Sequence, residues 1–240
     1  MYNGKILSFE LFCFSCDWPA MSDIQFVKLH SAYFACMTCE TEGVYIRNSN
    51  KQGGRMTFPE IDSTLRTDES FRLQTQPQHH NGRSILEILP ISMILNFAID
   101  VMHFVFIGVM RKLLHIWFNC RKGIRVRLTK ASITSVSNTL NQIKNCIPSE
   151  FSRKTRGLNE LPPFKATELR LLLLYVLPVL LINLPEEIYN HFLLLHCAIR
   201  ILCSPHFVKR RSYIERARNF LISFVLSCAN LYGLHFFQRA

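Results

Sequence analysis

Two pairs of cysteines with the CxxC spacing lie near the start of the sequence. Cys13 and Cys16 form one pair, and Cys36 and Cys39 form the other. Cysteine thiolates at this spacing are typical zinc ligands, and a structural zinc site takes four of them. However, Cys13 and Cys16 lie in an apolar segment typical of a strand, where residues three apart point to opposite faces. The favoured hypothesis is therefore that these two are buried thiols, and the alternative is a four-cysteine zinc site that contains both pairs. On the favoured hypothesis, Cys36 and Cys39 are only two of the four ligands that a closed zinc site needs.

Adjacent histidines offer a second source of ligands for the half-site of Cys36 and Cys39. His79 and His80 follow the cysteines in a polar part of the chain. Neutral imidazole is a common zinc ligand, but a histidine in a polar loop is more often solvated. Spacing along the sequence does not decide between these two interpretations.

Asp17 is a carboxylate that the sequence places at the end of an apolar segment. The preceding residues, ILSFELFCF, are short, apolar and aromatic, which predicts a buried strand, and Pro19 stops its ladder. Asp17 then lies at or just beyond a strand end, where a carboxylate can point into a site. The alternative is an aspartate that only forms a turn before Trp-Pro.

The composition excludes a disordered tail and favours an anionic partner. Hydrophobic residues make up 49% of the 240 residues, and 28 Lys and Arg against 17 Asp and Glu give a formal charge of +11. Such a surplus usually serves nucleic acid or an anionic membrane surface, and DNA is the first partner to test. Nine cysteines, together with an N-terminal segment unlike a cleavable signal, predict reduced thiols in the nucleus or, as second choice, the cytoplasm.

The positive charge is concentrated in one stretch of the sequence. All charged residues between Val101 and Ser149 are basic. One interpretation is a phosphate-binding face, and the other is a solvated connector between helices. The residues predicted to contact DNA are Arg111, Lys112, Arg121, Lys122, Arg125, Arg127 and Lys130.

The pattern of apolar residues predicts a mainly α protein with a small β portion, of the α+β class. Residues 1–40 carry the strand and the cysteine pairs, 41–84 form a polar loop insertion, and 85–240 form a helical domain. Within the insertion, Thr67 is a predicted N-cap for a short helix with acidic residues in its first turn. Pro178 is predicted to break one of the later helices.

Two uncharged apolar segments raise the alternative of a membrane protein. The segment 171–185 is shorter than a spanning helix and contains a proline, whereas 219–238 is long enough but carries several polar residues. Buried core helices are the favoured interpretation, so a membrane partner is not expected.

Several motifs occur in a characteristic order over nearly the whole chain, from about residue 6 to 234. The motifs are FSCDWPA, FVKLHSAYFACMTC, FPEIDSTLRTDESFR, QHHNGRSILEILP, DVMHFVFIGVMRKLL, IPSEFSRKTRGLNELPPFKATELRLLLLYVLPVLL and IYNHFLLLHCAIRILCSP. In this order they resemble transposase-derived proteins of insects and other animals, relatives of the CACTA-type cut-and-paste transposases. The resemblance implies an RNase H-like core in which two Asp and one Glu hold two Mg²⁺ or Mn²⁺ ions for phosphoryl transfer.

The resemblance also assigns roles to individual residues. Asp17 in CDWPA matches the second acidic residue of the family, and Cys36 and Cys39 match a CxxC at the start of an inserted helical domain. In the family, a later histidine pair completes a zinc site with this CxxC. The family's first Asp lies upstream of the matched region, and its histidine pair and Glu lie downstream.

The matched residues therefore give one of three catalytic carboxylates and two of four zinc ligands. We expect a fragment of a transposase-like protein that binds zinc weakly and does not cleave DNA alone. Its expected partners are DNA, a full-length transposase or another copy of itself. The alternative is a non-catalytic DNA-binding or regulatory protein derived from a transposon.

Overall fold

The chain forms two compact units, of which the first ends at Asp100 and the second begins at Val101. Helices predominate and strands are few, so the predicted α+β class with a small β portion is confirmed. The computed structural model describes residues 11–47, 53–119, 126–158, 164–182, 184–233 and 236.

The first unit combines a parallel strand pair with a separate hairpin. Strand β1 pairs in parallel with β4, so that Phe14 lies opposite Phe97 and Cys16 opposite Ile99. Strands β2 and β3 form an antiparallel hairpin. The elements are β1 (Phe14–Cys16), α1 (Trp18–Gln25), β2 (Val44–Arg47), β3 (Gly54–Thr57), α2 (Asp68–Arg72), two 3₁₀ turns (Pro77–His79 and Ile85–Ile88) and β4 (Phe97–Ile99).

Aromatic stacking holds the parallel pair together. The rings of Phe14 and Phe97 stack with centroids 4.8 Å apart and an interplanar angle of 15°. Phe97 also joins a small apolar core with Val27, Phe71 and Met93, all of which are buried. A parallel strand pair must be covered to be stable, and this core covers one of its faces.

Two predicted boundaries are corrected by this arrangement. Residues 41–84, predicted as a polar loop insertion with one short capped helix, also contain the strands β2 and β3, because backbone pairing in the hairpin outweighs the polar composition. As predicted, Thr67 caps α2, and its hydroxyl accepts from the backbone of Ser70. Residues 85–100 belong to the first unit rather than to the helical domain, because β4 pairs with β1.

The second unit is helical, with several π-helical segments between α-helices. Its elements are the π-helix Met102–Met110, α3 (Arg111–Leu114), the π-helix His115–Asn119, α4 (Lys130–Gln142), the 3₁₀ helix Ile143–Cys146, α5 (Ala166–Leu171), the π-helix Leu172–Val176, α6 (Leu177–Leu180), α7 (Glu186–Leu202), the 3₁₀ helix Phe207–Lys209 and α8 (Arg211–Tyr232). Helices α7 and α8 pack against each other along their length.

A large apolar core explains the uncharged segment that follows Arg170. The side chains of Leu171, Leu172, Leu173 and Leu174 are all buried, and they pack in one cluster with Trp117. A helix that is apolar on every side is typical of a core position, as the sequence predicted. None of the described helices is both long and apolar enough to cross a membrane.

A proline changes the helix type in this segment without ending the helix there. Pro178 lies in the first turn of α6, directly after the π-helix Leu172–Val176. The first turn tolerates a residue without an N–H, so Pro178 fits where the helical pattern changes. The helix ends at Leu180, shortly after the predicted break.

A chain of hydrogen bonds crosses the apolar core of the second unit. The indole N–H of Trp117 donates to the Tyr232 hydroxyl at 3.3 Å, and that hydroxyl donates to Nδ1 of His191 at 3.1 Å. The Nε2–H of His191 donates to the Phe224 carbonyl at 2.9 Å. Since a carbonyl only accepts, this bond fixes the tautomer of His191 and leaves Nδ1 to accept. Burial lowers the pKa of His191, which keeps the ring neutral.

We expect Tyr232→Phe to destabilise the second unit by about 1–3 kcal/mol, because it leaves the buried polar atoms of Trp117 and His191 without their partner. Urea unfolding followed by Trp117 fluorescence in a Trp18→Phe background measures this change. Tyr213→Phe is the matched control, since the ring of Tyr213 packs on Phe207 and is retained. If Tyr232→Phe lowered the free energy of unfolding no more than Tyr213→Phe does, the hydrogen-bond chain would not stabilise the second unit as described.

Candidate functional site

The sulfurs of Cys36 and Cys39 lie side by side in the first unit. The Cys39 thiol donates to the Cys36 sulfur at a separation of 3.2 Å, and the Thr38 hydroxyl lies 3.4 Å from the same sulfur. Both cysteines are half-buried, so solvent and small molecules reach them. The two thiols therefore act as one coupled group rather than as independent cysteines.

The coupling separates the acidities of the two thiols. The hydrogen bond from Cys39 lowers the pKa of Cys36, against the opposing effect of burial, because it stabilises the Cys36 thiolate. The same bond and burial raise the pKa of Cys39, which keeps its proton. The arrangement therefore favours a thiolate at Cys36 and a thiol at Cys39.

A buried arginine fixes the backbone of this turn. Arg66 is 5% exposed, and its Nε donates to the Cys36 carbonyl at 2.9 Å. Its backbone N–H donates to the Thr38 carbonyl at 3.0 Å, and its Nη2 donates to the side chain of Gln76. Gln76 in turn donates to the Glu40 carbonyl at 3.0 Å. The first residue of the CxxC, a residue within it and the residue after it are thus tied to Arg66 and its neighbour Gln76.

The histidine pair is buried beside this arginine and is not solvated. His79 and His80 are only 1% and 7% exposed, and the ring of His80 packs on Phe71 with centroids 4.8 Å apart. The Nδ1–H of His79 donates to the Phe34 carbonyl at 2.7 Å, two residues before Cys36. Burial and the Arg66 charge lower the pKa of both rings, to about 4 for His79. The interpretation of these residues as solvated loop histidines is therefore wrong.

The residues around Cys36 and Cys39 do not assemble a metal centre. Over the described ranges, no three side chains of His, Cys, Asp or Glu are grouped closely enough to hold an ion. Cys13 is exposed and Cys16 is half-buried, so neither completes the site, and the prediction that both are buried thiols is wrong for Cys13. The charge facing the cysteine pair is the Arg66 guanidinium, which disfavours a second cation. The donor set therefore does not fit zinc.

Asp17 follows β1 directly and caps the next helix. The prediction of a buried strand over ILSFELFCF is wrong for residues 11–13, which form no strand, because pairing with β4 begins only at Phe14 and leaves β1 partly exposed. Its Oδ1 accepts from the Ala20 backbone at 3.0 Å, and Pro19 occupies the first turn of α1. The strand-end and the turn-forming interpretations are thus both satisfied by the same residue. An N-cap carboxylate of this kind contributes about 1 kcal/mol to helix stability.

A second carboxylate, Asp100, lies at the same end of the parallel pair. Cys16 pairs with Ile99, so Asp17 and Asp100 are the next residues along neighbouring strands. Strands in a sheet lie about 4.8 Å apart, which brings the two backbones close. Both carboxylates add to the effect of burial in raising the pKa of the Cys16 thiol. Asp100 was not among the predicted site residues, although it follows the apolar residues FAI, which is the same signal that identified Asp17.

The structure divides the predicted DNA-binding residues into three groups. Arg111 and Lys112 point into the second unit, where they donate to the carbonyls of Phe164 and Phe236 at 3.2 and 2.7 Å. Both side chains therefore support the helical packing. Arg127 and Lys130 are exposed. Arg121, Lys122 and Arg125 lie outside the described residues.

The neutral state of His79 makes the stability of the first unit depend on pH. Its pKa is about 4 in the folded protein and about 6.5 when unfolded, so the unfolded chain binds more protons. Stability is full above about pH 6.5 and falls towards pH 4, by on the order of 2–3 kcal/mol from this group. His80 shifts in the same direction. Hydrogen exchange of α2 as a function of pH measures the effect.

His79→Asn is the test variant, because the Asn side-chain amide can still donate to the Phe34 carbonyl but does not titrate. We expect this variant to show a flatter pH dependence than the wild type. His206→Asn, at an exposed position, is the control and should leave the profile unchanged. An unchanged slope in His79→Asn would contradict the assignment.

Comparison of the chain with models of protein families, with curated proteins and with solved structures finds no match.

Proposed function

We propose that the chain is a transposase-derived DNA-binding protein that does not cleave DNA on its own. In this proposal the first unit is a remnant of an RNase H-like core and the second is the inserted helical domain. The observation that carries it is the position of Asp17 and Asp100 at the same end of two parallel strands.

Paired carboxylates at neighbouring strand ends are what metal-dependent phosphoryl transfer requires. Two such groups a few ångströms apart can share a divalent ion, and the ion stabilises charge on the reacting oxygens. Asp17 and Asp100 follow neighbouring strand ends, which is the backbone placement that such a pair needs. A third acidic side chain does not join them among the residues that the structure describes. Two carboxylates leave most of the coordination shell of Mg²⁺ to water, so weak binding without cleavage is expected.

The basic stretch of the second unit supports DNA as the partner. Residues 101–149 carry no acidic side chain, and the exposed Arg127 and Lys130 lie at the start of α4. Lys and Arg that release counterions from phosphates supply affinity without sequence specificity. Because Arg111 and Lys112 are engaged in packing, the proposed contact surface is the segment from Arg121 to Lys130, which we call the basic segment.

The carboxylate pair predicts weak Mn²⁺ binding that depends on both aspartates. We expect Asp17→Asn and Asp100→Asn each to weaken Mn²⁺ affinity about tenfold, because each removes one of two anionic ligands. Titration with paramagnetic resonance detection of free Mn²⁺ measures this. Asn remains a good N-cap, so Asp17→Asn preserves α1.

Asp23→Asn, at an exposed position in α1, is the control for this titration and should not change Mn²⁺ affinity. In parallel, the wild-type chain should not nick supercoiled plasmid with Mg²⁺ or Mn²⁺ beyond the level of Asp17→Asn. Nicking that is lost in Asp17→Asn would overturn the non-catalytic part of the proposal.

The basic segment predicts a steep dependence of DNA affinity on salt. Each phosphate contact contributes about 0.9 to the slope of log affinity against log salt concentration, so reversing four contacts should lower the slope by about 3 to 4. The variant carries Glu at Arg121, Lys122, Arg125 and Arg127. Fluorescence anisotropy with two duplexes of unrelated sequence measures it.

The control variant reverses the same number of charges elsewhere. Lys209, Arg210, Arg216 and Arg218 are exposed around the start of α8, and changing them to Glu gives an identical net charge. We expect this control to retain most of the slope. An equal loss in both variants would show that net charge, rather than the basic segment, determines binding.

A further inference from the structure

We propose that Cys36 and Cys39 form a thiol–disulfide exchange pair, in which Cys36 attacks a small disulfide and Cys39 resolves the mixed disulfide. The inference rests on the geometry of the turn and is independent of the proposed DNA binding.

The two sulfurs already lie close to bonding position. Their separation of 3.2 Å is only about 1 Å longer than a disulfide bond. The CxxC spacing places them in one turn, so closure requires a change of side-chain rotation and no movement of distant segments. Cys39, as the hydrogen-bond donor, points its proton at the sulfur to which it would bond.

The backbone around the pair is fixed from both sides. The Phe34 carbonyl accepts from His79 at 2.7 Å, and the Glu40 backbone N–H donates to the Thr64 carbonyl at 2.9 Å. Cys39 also forms a β-bridge with Leu65. A rigid turn keeps the sulfurs together in the reduced state, which lowers the entropic cost of closing the bond.

A fixed positive charge favours the attacking thiolate. The Arg66 side chain is buried and held by its bonds to the Cys36 carbonyl and to Gln76, so its charge stays beside the pair. Thiolates beside a cation or a hydrogen-bond donor form more readily, and the thiolate is the nucleophile in exchange. Cys36 has both a nearby cation, Arg66, and a hydrogen-bond donor, the Cys39 thiol. Its side chain is half-buried, so a small disulfide can approach it.

The exchange is balanced with a low-molecular-weight disulfide as oxidant. The Cys36 thiolate attacks one sulfur of the disulfide, forms a mixed disulfide and releases the other sulfur as a thiolate. Cys39 then loses its proton to solvent and attacks Cys36, which forms the Cys36–Cys39 bond and releases the second thiolate. Two protein thiols are oxidised, and one disulfide is reduced to two thiols.

This role explains the donor set better than zinc does. A zinc site needs two further ligands, whereas exchange needs only a second thiol. A neighbouring cation opposes metal binding but assists a thiolate. The position of Arg66 therefore distinguishes the two chemistries.

The test uses the purified full chain in mixtures of reduced and oxidised glutathione, quenched by alkylation and digested with trypsin. Cleavage after Lys28 and Arg47 gives one peptide that contains both cysteines and no other. We expect that peptide to lose two hydrogen atoms and to carry no glutathione. In Cys39→Ser the reaction should stop at a mixed disulfide on Cys36, and in Cys36→Ser it should leave Cys39 reduced.

The reaction rate provides a second readout. At pH 6.5, iodoacetamide should modify Cys36 about tenfold faster than the exposed Cys146, which is the matched reference in the same molecule. Arg66→Gln should reduce this difference, because the charge beside the pair is lost while the hydrogen bond from Cys39 remains, and Arg66→Lys should restore part of it because the charge is kept. Each variant must show the far-ultraviolet circular dichroism spectrum of the folded wild-type protein.

Three results would overturn the proposal. One is a Cys36 rate no greater than that of Cys146 in the wild type. Another is a wild-type mixed disulfide that persists without closing to the Cys36–Cys39 bond. The third is one tightly bound zinc ion per chain that protects both cysteines from alkylation, as measured by native mass spectrometry.

Discussion

The buried guanidinium of Arg66 is the interaction on which the arrangement of the first unit depends. It joins the CxxC turn to Gln76, and through Gln76 to the backbone of Glu40. A buried charge is costly unless its donors are satisfied, so the surrounding carbonyls are held where the guanidinium needs them. The same charge keeps the neighbouring histidines neutral and stabilises negative charge on sulfur. One residue therefore determines both the geometry and the electrostatics of the site.

The second unit is stabilised in a different way. Its core is built from aliphatic and aromatic side chains, and a chain of hydrogen bonds runs through it from Trp117 through Tyr232 and His191 to Phe224. Apolar burial supplies most of the stability of such a core but specifies its packing weakly. Directional bonds between helices add specificity, because a shifted helix would leave buried polar atoms without partners.

Local chemistry was readable from the sequence, whereas long-range contacts were not. The Thr67 cap and the apolar core helices depend on neighbouring residues, and both were predicted, whereas the strand before Asp17 was predicted too early in the sequence. Asp100 and Arg66 acquire their roles only through contacts with distant parts of the chain. The pairing of β1 with β4 also moved residues 85–100 into the first unit. Polar composition misled for the first part of 41–84, because the β2–β3 hairpin can form in a polar segment.

The pairing of β1 with β4 also has a consequence for the order of folding. Phe14 and Phe97 meet across more than eighty intervening residues, and closing so long a loop carries a large entropic cost. The β2–β3 hairpin and α2 involve only local contacts and can form early. During synthesis, β1 must therefore remain without its partner until β4 has left the ribosome. The exposed Phe12 beside β1 makes this interval the time at which the chain most needs protection from aggregation.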